Sequence, residues 1–194
     1  MSMSKKLKDT AVIMIVDDDA STRMMATEFL SQAGFTVVEA RDGQEALEQA
    51  PLVQPDMIIL DVEMPRLDGF EACMQLREMP AFMAIPILML TGLDNSESVD
   101  RAYNAGATDF ATKPINWSLL CYRVRYMLRA SRASELLIKN QSSLAAAQRI
   151  ANLGNWELDL IQQRSTWSDQ LYHILGIDAE DIEPDFETLM SMVH

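Results

Sequence analysis

The stretch MIILDVEMP, from Met57 to Pro65, decides the fold of this chain. Four apolar residues of strand character end at Asp61, and a loop with Pro65 and Asp68-Gly69 follows. The same order, a short apolar run and then a polar residue, occurs at three other places: Val12–Val16 before Asp17, Ile85–Leu90 before Thr91, and Phe110-Ala111 before Lys113. Because parallel strands gather their carboxyl ends at one edge of a sheet, the pattern predicts one site built from four strands.

Strand-like runs alternate with amphipathic helical stretches over residues 1–130, which predicts βα units and a parallel sheet. The predicted strands are Ala11–Val16, Thr36–Ala40, Met57–Leu60, Ile85–Leu90 and Thr108–Ala111. The predicted helices are about Ala20–Ala33, Gln44–Gln49, Phe70–Met79 and Ser96–Ala105, and a fifth begins near Trp117. The expected fold class is therefore α/β, a five-stranded parallel doubly wound sheet with helices on both faces.

Length and composition indicate an ordinary globular protein. The chain has 194 residues, which allows one full domain and a smaller one. Its hydrophobic content is 48%, and no apolar run approaches the roughly 18 residues of a membrane helix. The polar start, residues 1–9, does not resemble a secretion signal, so we expect a cytoplasmic protein. Cys73 and Cys121 are expected to be reduced thiols.

The charge is strongly acidic but unevenly distributed. A formal net charge of −13 argues against unaided binding to nucleic acid or to an acidic membrane. Residues 117–151 nevertheless carry six basic side chains against Glu135 alone. Such a segment is typical of a solvated helix rather than of a core element.

The acidic residues at the predicted strand ends indicate a site for a divalent cation. Asp17 and Asp18 would lie near Asp61, and three carboxylates repel one another unless they share a cation. Mg²⁺ fits best, because it binds through few carboxylates and leaves positions for phosphate oxygens. Asp61 is expected to be an exposed nucleophile that forms an aspartyl-phosphate. Lys113 and Thr91 would supply an ammonium and a hydroxyl to the phosphoryl oxygens.

Each of these residues has a simpler interpretation when it is taken alone. Asp19, with Ser21 and Thr22 after it, is expected to be the N-cap of a helix rather than part of the site. Lys113-Pro114 alone would be a loop lysine before a turn, and Thr91-Gly92 alone would be a strand exit. The set at consecutive strand ends favours the chemical interpretation.

Residues 10–130 resemble the receiver domain of a two-component response regulator, which has a flavodoxin-like fold. The resemblance rests on these motifs: Val16-Asp17-Asp18, Asp61-Val62-Glu63-Met64-Pro65 with Asp68-Gly69, Thr91-Gly92, Ala105-Gly106-Ala107 and Lys113-Pro114. It implies a regulatory phosphoacceptor rather than an enzyme, with Asp61 receiving a phosphoryl group from a sensor histidine kinase or a phosphotransfer protein.

The resemblance also implies roles for the surrounding residues. Asp18, Asp61 and the backbone carbonyl of Glu63 would bind Mg²⁺, with Asp17 contributing through water. Thr91 and Phe110 would be the switch residues, although an ordinary core phenylalanine is the simpler interpretation of Phe110. Leu93, two residues after Thr91, stands where a side chain influences the lifetime of the phosphate.

Beyond the receiver-like part, one helix is expected to continue from Trp117 to about Asn152, and we expect residues 117–152 to be a signalling helix. A 3/4 spacing runs through seven positions, which we call the seam: Ala130, Ala133, Leu137, Asn140, Leu144, Ala147 and Ala151. It predicts a two-stranded coiled coil and a parallel homodimer, in which Asn140 favours one register. The alternative is a solvated connector with chance spacing. The earlier face, Leu120, Val124 and Met127, is out of step with the seam.

Residues 153–194 change pattern again and resemble the start of a PAS domain. Asn155–Leu160 and Gln162–Trp167 are expected to form a hairpin, and Asp169–Leu175 a helix that ends at Gly176. Trp156 and Trp167 could line a ligand pocket, but we expect both to pack in a core. Since a whole PAS domain is longer, we expect a truncated segment of a larger regulator, with a cyclic-dinucleotide synthase, a phosphodiesterase or a kinase as its output domain.

Two other functions use the same residues. A Mg²⁺-dependent aspartyl-nucleophile phosphohydrolase would need Asp61 with Glu63 as an acid/base, but no insertion is present to hold a substrate. A phosphorylation-independent scaffold would use the fold only to dimerise, and the intact acidic set argues against it.

Overall fold

A computed structural model of the chain describes residues 10–92, 96–159, 161–162, 164–178 and 184–193, with the backbone alone at 96–99 and at 193. The chain divides into two compact units, Met1–Ala133 and Ser134–His194. The N-terminal segment 1–9, Leu93 and His194 lie outside the described residues.

The first unit is built on a five-stranded parallel sheet in the order β2-β1-β3-β4-β5. Its strands are β1 (Val12–Val16), β2 (Thr36–Ala40), β3 (Met57–Asp61), β4 (Ile87–Thr91) and β5 (Asp109–Thr112). Every residue of β1, β3 and β4 is buried, as expected for parallel strands covered on both faces. The predicted fold class is confirmed for this unit.

Five helices alternate with these strands: α1 (Ala20–Gln32), α2 (Gly43–Val53), α3 (Gly69–Glu78), α4 (Ser96–Asn104) and α5 (Trp117–Ala151). An aspartate caps each of the first three helices by accepting backbone N–H bonds: Asp19, Asp42 and Asp68. Gly34 and Gly106 follow α1 and α4 with φ of 92° and 90°, a conformation that glycine adopts readily.

Two predicted boundaries shift for reasons that the backbone explains. Strand β4 begins at Ile87 instead of Ile85, because Pro86 has no N–H to give to the sheet, although its carbonyl accepts the N–H of Ile58 at 3.0 Å. Helix α2 continues past Pro51 to Val53 instead of ending at Gln49. Gln54, with φ of 50°, then closes it by donating its N–H to the carbonyl of Ala50.

The sheet separates two apolar cores. One lies against α2, α3 and α4, and includes Ile58, Leu76 and Met89. The other lies against α1 and the first turns of α5, where Leu120, Val124 and Met127 are buried. These three residues do not continue the spacing of the seam, because they pack against the sheet of the first unit.

Helix α5 is a single helix of 35 residues, and the boundary between the two units falls within it, after Ala133. Every seam residue is exposed; Leu137 and Leu144 have exposed fractions of 63% and 60%. Across the part of the chain that the structure describes, no helix combines the length and the apolar character that crossing a membrane requires.

The second unit contains an antiparallel hairpin and two short helices. The hairpin joins β6 (Trp156–Asp159) to β7 (Arg164–Trp167), and α6 (Asp169–Leu175) and α7 (Phe186–Val193) follow. Helix α6 ends at Gly176, as predicted, with φ of 70°.

The two tryptophans of this hairpin have different surroundings. Trp167 is buried with Leu171 and Leu189, and its indole N–H donates to Ser165 Oγ at 2.9 Å, so its predicted core packing is confirmed. The prediction is wrong for Trp156, which is 42% exposed and touches Phe186 at one side. The described residues of this small unit cover only one face of the two-stranded hairpin.

Candidate functional site

The predicted site residues meet at one edge of the five-stranded sheet. Asp17 directly follows β1, Asp61 ends β3, Thr91 ends β4 and Lys113 directly follows β5. These four strands are consecutive neighbours in the sheet, so their carboxyl ends lie side by side. The prediction that these residues lie at one edge of the sheet is therefore confirmed.

Three carboxylates form a cluster there. Asp17, Asp18 and Asp61 each place one oxygen so that all three lie within 4.8 Å of one another. Asp17 is 0% exposed and Asp61 is 2% exposed, whereas Asp18 is exposed. The expectation of an exposed Asp61 is wrong: Asp61 is the last residue of a buried strand, and the Lys113 ammonium lies against its carboxylate.

Lys113 supplies the positive charge of the cluster. Its Nζ lies 2.9 Å from Asp61 Oδ1 and 3.3 Å from Asp17 Oδ2. The Lys113 backbone N–H donates to the carbonyl of Thr91 at 2.8 Å, which fixes the lysine beside the end of β4. The Lys113–Pro114 peptide bond is cis. Thr91 itself is 4% exposed.

The charges of the cluster perturb one another. Burial raises the pKa of Asp17, although bonds from Asp19 and Lys113 oppose it. Burial also raises the pKa of Asp61, against the bond from Lys113. For Lys113 burial alone would lower the pKa, but the bond and the charge of Asp61, followed by those of Asp17, raise it overall. The ammonium is therefore charged, whereas its attraction does not fully offset the cost of burying the two carboxylates.

Asp19, the third aspartate of the acidic run, caps a helix instead of joining the cluster, as predicted. Asp19 caps α1: its carboxylate accepts the N–H bonds of Ser21 and Thr22 at 3.1 Å each. Its own N–H donates to Asp17 Oδ1 at 2.8 Å. The capping bonds, first the hydroxyl bond from Thr22, lower the pKa of Asp19.

The predicted switch aromatic, Phe110, is half-buried on β5. Its ring meets the ring of Tyr103 edge-on, with centroids 6.1 Å apart. Its carbonyl accepts a bond from Arg123 Nη1 at 2.6 Å. Glu63 has an exposed side chain in the loop after Asp61. The predicted influence of Leu93 falls outside the described residues.

Gly69 allows the start of α3 to touch the backbone of Asp61. A Cβ at position 69 would collide with the carbonyl oxygen of Asp61, which no side chain can tolerate. The Gly69 N–H also donates to the carbonyl of Val62 at 3.0 Å. The loop between Asp61 and α3 is therefore closed tightly over the end of β3.

Two arginines that sequence reasoning missed hold the loops around the site. Arg23 Nη1 donates to the carbonyls of Asp17 and Asp18 at 2.7 and 3.1 Å. Arg66, in the loop after Asp61, pairs with the buried carboxylate of Asp42. The sequence contained one indication for Arg23. A cation near the N-terminus of a helix is disfavoured by the helix dipole, so an arginine there is expected to have a specific partner.

The donors of this cluster suit a hard divalent cation. Carboxylate oxygens are the ligands that Mg²⁺ prefers, and three of them converge here, two held in place by burial. One ammonium cannot neutralise three carboxylates, so a divalent cation would remove the excess charge.

The chain is similar to many known proteins, three of which illustrate the range of the match. The chain is 40% identical to the alkaline phosphatase synthesis transcriptional regulatory protein PhoP of Bacillus subtilis, over 61% of this chain and 49% of that protein. It is 31% identical to the DNA-binding dual master transcriptional regulator RpaA of Synechocystis, over 91% of this chain and 81% of that protein. Chemotaxis protein CheY4 of Vibrio cholerae superimposes with a TM-score of 0.59 at 36% identity, over 61% of this chain and 98% of that one.

The match covers about half the length of PhoP, so it says nothing of the remaining half of that regulator. The family model for the response regulator receiver domain matches residues 13–125, which is more than half of the chain and includes every residue of the carboxylate cluster and its lysine. Receiver domains are regulatory phosphoacceptors of two-component systems, served by sensor histidine kinases or phosphotransfer proteins. The fold, the acidic pocket and the family match agree, and the chain belongs to the response regulator receiver family.

Proposed function

We propose that Asp61 is the phosphoacceptor of this chain and takes a phosphoryl group from a phosphohistidine of a sensor kinase or a phosphotransfer protein. One observation carries the proposal: the Asp61 carboxylate lies in a cluster with Asp17 and Asp18 and is 2.9 Å from the Lys113 ammonium. These four side chains together provide a phosphoacceptor, a cation site and a fixed positive charge at one place.

In the transfer step, an Asp61 carboxylate oxygen forms a bond to phosphorus as the bond between phosphorus and the histidine nitrogen breaks. The electron pair of the broken bond stays on the imidazole, which regains a proton from solvent. The Lys113 ammonium is placed to stabilise the phosphoryl oxygens. Asp17, Asp18, Asp61 and the backbone carbonyl of Glu63 would hold Mg²⁺, which neutralises negative charge on those oxygens when bound.

We propose Thr91 and Phe110 as the switch that reports the phosphoryl group. Val62 donates its N–H to the carbonyl of Leu90 at 3.0 Å, so Thr91 ends β4 next to the end of β3. Drawing the Thr91 hydroxyl toward the new oxygens would leave space behind it, and the half-buried Phe110 could turn inward. The face of α4, β5 and α5 would then change shape, as a bias between two states.

Transmission beyond the receiver would use α5. The seam residues are exposed in the structure, and none of them is charged. Exposed leucines at this spacing, with Asn140 among them, support a parallel homodimer through residues 117–152. We further propose that residues 153–194 begin a PAS domain, on the support of the hairpin β6-β7 and helix α6, and that an output domain acts after it. A cytoplasmic location is part of this proposal.

The test is the intact mass of the full chain with Mg²⁺, before and after acetyl phosphate. We expect one phosphoryl adduct in the native chain and none in Asp61→Asn. Asp68→Asn is a matched control, because Asp68 caps α3 in the same loop and asparagine caps helices equally well. Adduct formation in Asp61→Asn would place the phosphoryl group on another residue and refute the proposal. Absence of an adduct from the native chain would also refute it and would favour the constitutive scaffold.

A further inference from the structure

We infer that Arg23 is a positioning residue for Mg²⁺ binding: it fixes the backbone on both sides of Asp18, so that this exposed carboxylate stays directed toward Asp17 and Asp61. The inference rests on the proposed function, because it assigns to Arg23 a part in building the metal site. Arg23 belongs to α1 and touches neither the Asp61 nor the Lys113 side chain among its described contacts.

The contacts of Arg23 concentrate on the acidic loop. One guanidinium nitrogen, Nη1, donates to the carbonyl of Asp17 at 2.7 Å and to the carbonyl of Asp18 at 3.1 Å. The side chain is 17% exposed, so water competes weakly for these carbonyls. Bonds from a charged donor to an acceptor are stronger than neutral ones, and two of them end on successive peptide groups.

These bonds determine where the Asp18 side chain points. The peptide group before Asp18 is held through the carbonyl of Asp17. The peptide group after it is held twice, through the carbonyl of Asp18 and through the Asp19 N–H, which donates to Asp17 Oδ1 at 2.8 Å. With both flanking peptide planes fixed, the Cα–Cβ direction of Asp18 is fixed as well. The exposed Asp18 carboxylate therefore starts from a fixed Cβ position beside Asp17 and Asp61, and only rotation about its side-chain bonds is left to be fixed by the metal.

Arg23 is itself held from strand β2. Its Nε lies 3.3 Å from Glu39 Oε2, and Thr27 Oγ1 donates to Glu39 Oε1 at 2.6 Å. Glu39 therefore balances the guanidinium charge and selects its orientation. The planar fork of arginine is required here, because a lysine ammonium is a point charge that cannot reproduce contacts to the loop and to Glu39 together.

The experiment measures the Mg²⁺ dissociation constant of the full chain by isothermal titration calorimetry, together with the metal-free melting temperature. Arg23→Ala is expected to bind Mg²⁺ roughly 10- to 100-fold more weakly, the usual effect of losing a group that orients metal ligands. Arg23→Lys should also bind more weakly than the native chain. Arg125→Ala is the control, because Arg125, like Arg23, donates to backbone, here to the carbonyl of Ala33 at 3.1 Å, but far from the acidic loop along the chain.

Glu39→Gln provides a second test if Arg23→Ala does not fold. It removes the charge that orients the guanidinium, and a several-fold loss of Mg²⁺ affinity is expected. Native affinity in Arg23→Lys would mean that charge alone matters and would overturn the positioning role, as would unchanged affinity in Arg23→Ala. If the native chain binds Mg²⁺ and takes up phosphate while these variants match it, the inference alone fails; if the native chain does neither, the proposed function fails.

Discussion

The Nζ of Lys113 lies 2.9 Å from Oδ1 of Asp61, so the ammonium already occupies one side of the carboxylate that we propose as the phosphoacceptor. The same ammonium reaches Asp17 Oδ2 at 3.3 Å. Among the described contacts of the cluster, one positive charge therefore faces three negative ones. The metal-free site is under electrostatic stress, and its consequences can be measured.

The first prediction concerns pH. Burial holds the pKa of Asp17 and Asp61 above the ordinary value of 3.8, so the folded chain binds these protons more tightly than the unfolded chain. Their contribution to stability is present at low pH and is lost as the pH rises from 3.8 through the raised values. Asp61→Asn should therefore stabilise the metal-free protein at neutral pH, and by less near pH 4.

Urea unfolding of the native chain and of Asp61→Asn, without Mg²⁺ at several pH values, measures this difference. Asp68→Asn makes the same change of charge outside the cluster and should show no comparable gain. A difference between Asp61→Asn and the native chain that shrinks as the pH rises would contradict the assigned direction of the pKa shifts.

The second prediction separates two roles of Lys113. Lys113→Ala removes the cation that competes with Mg²⁺ for Asp61 and Asp17, so Mg²⁺ should bind several-fold more tightly. Phosphoryl uptake from acetyl phosphate should fall roughly 100-fold, because the phosphoryl oxygens lose a fixed charge. Calorimetry and the time course of the mass adduct measure the two effects. A parallel loss of both would indicate that the lysine only maintains the fold of the site.

The third prediction concerns the contact between α3 and Asp61. Gly69→Ala places a Cβ against the Asp61 carbonyl, which is backbone and cannot move alone, so the free energy of unfolding should fall by about 3 kcal/mol or more. Gly92→Ala is the control near the end of β4, since a Cβ there meets nothing within 4 Å. Thermal unfolding of both variants tests this; equal stability would mean that the loop has room to adjust.

The fourth prediction tests the dimer. Leu137→Glu puts a charge in the seam and should convert the chain to a monomer at micromolar concentration. Ile138→Glu is matched, because Ile138 is the next residue, is apolar and has an exposed fraction of 67% against 63% for Leu137. Sedimentation velocity distinguishes them. Equal behaviour of the two variants would mean that the spacing along α5 does not define an interface.

The sequence predicted the sheet and the meeting of Asp17, Asp61, Thr91 and Lys113, because alternation and strand ends are local patterns with a fixed topological meaning. It did not predict that Asp61 is buried. Burial of a strand end depends on the loop that folds over it, here through Gly69, and that contact has no periodicity.

The partners of Arg23 and Arg66 were not predictable for a related reason. The position of Arg23 near a helix N-terminus was a signal that it has a partner, but nothing in the sequence shows that the partners are two backbone carbonyls for Arg23 and the carboxylate of Asp42 for Arg66. The exposure of Trp156 was missed because a tryptophan in a strand predicts a covered face, and the described part of the small unit does not supply one.

Lys113 and Asp17 are separated by 96 residues along the chain. The acidic cluster can form once β3 has paired with β1, but its counter-charge arrives only with β5, the last strand of this sheet to be synthesised. A nascent chain that has not yet emerged as far as β5 therefore holds its carboxylates without their lysine, and pairings of such long range are slow to form. The proposed phosphoacceptor site is therefore complete only after β5 has been synthesised and has paired with β4.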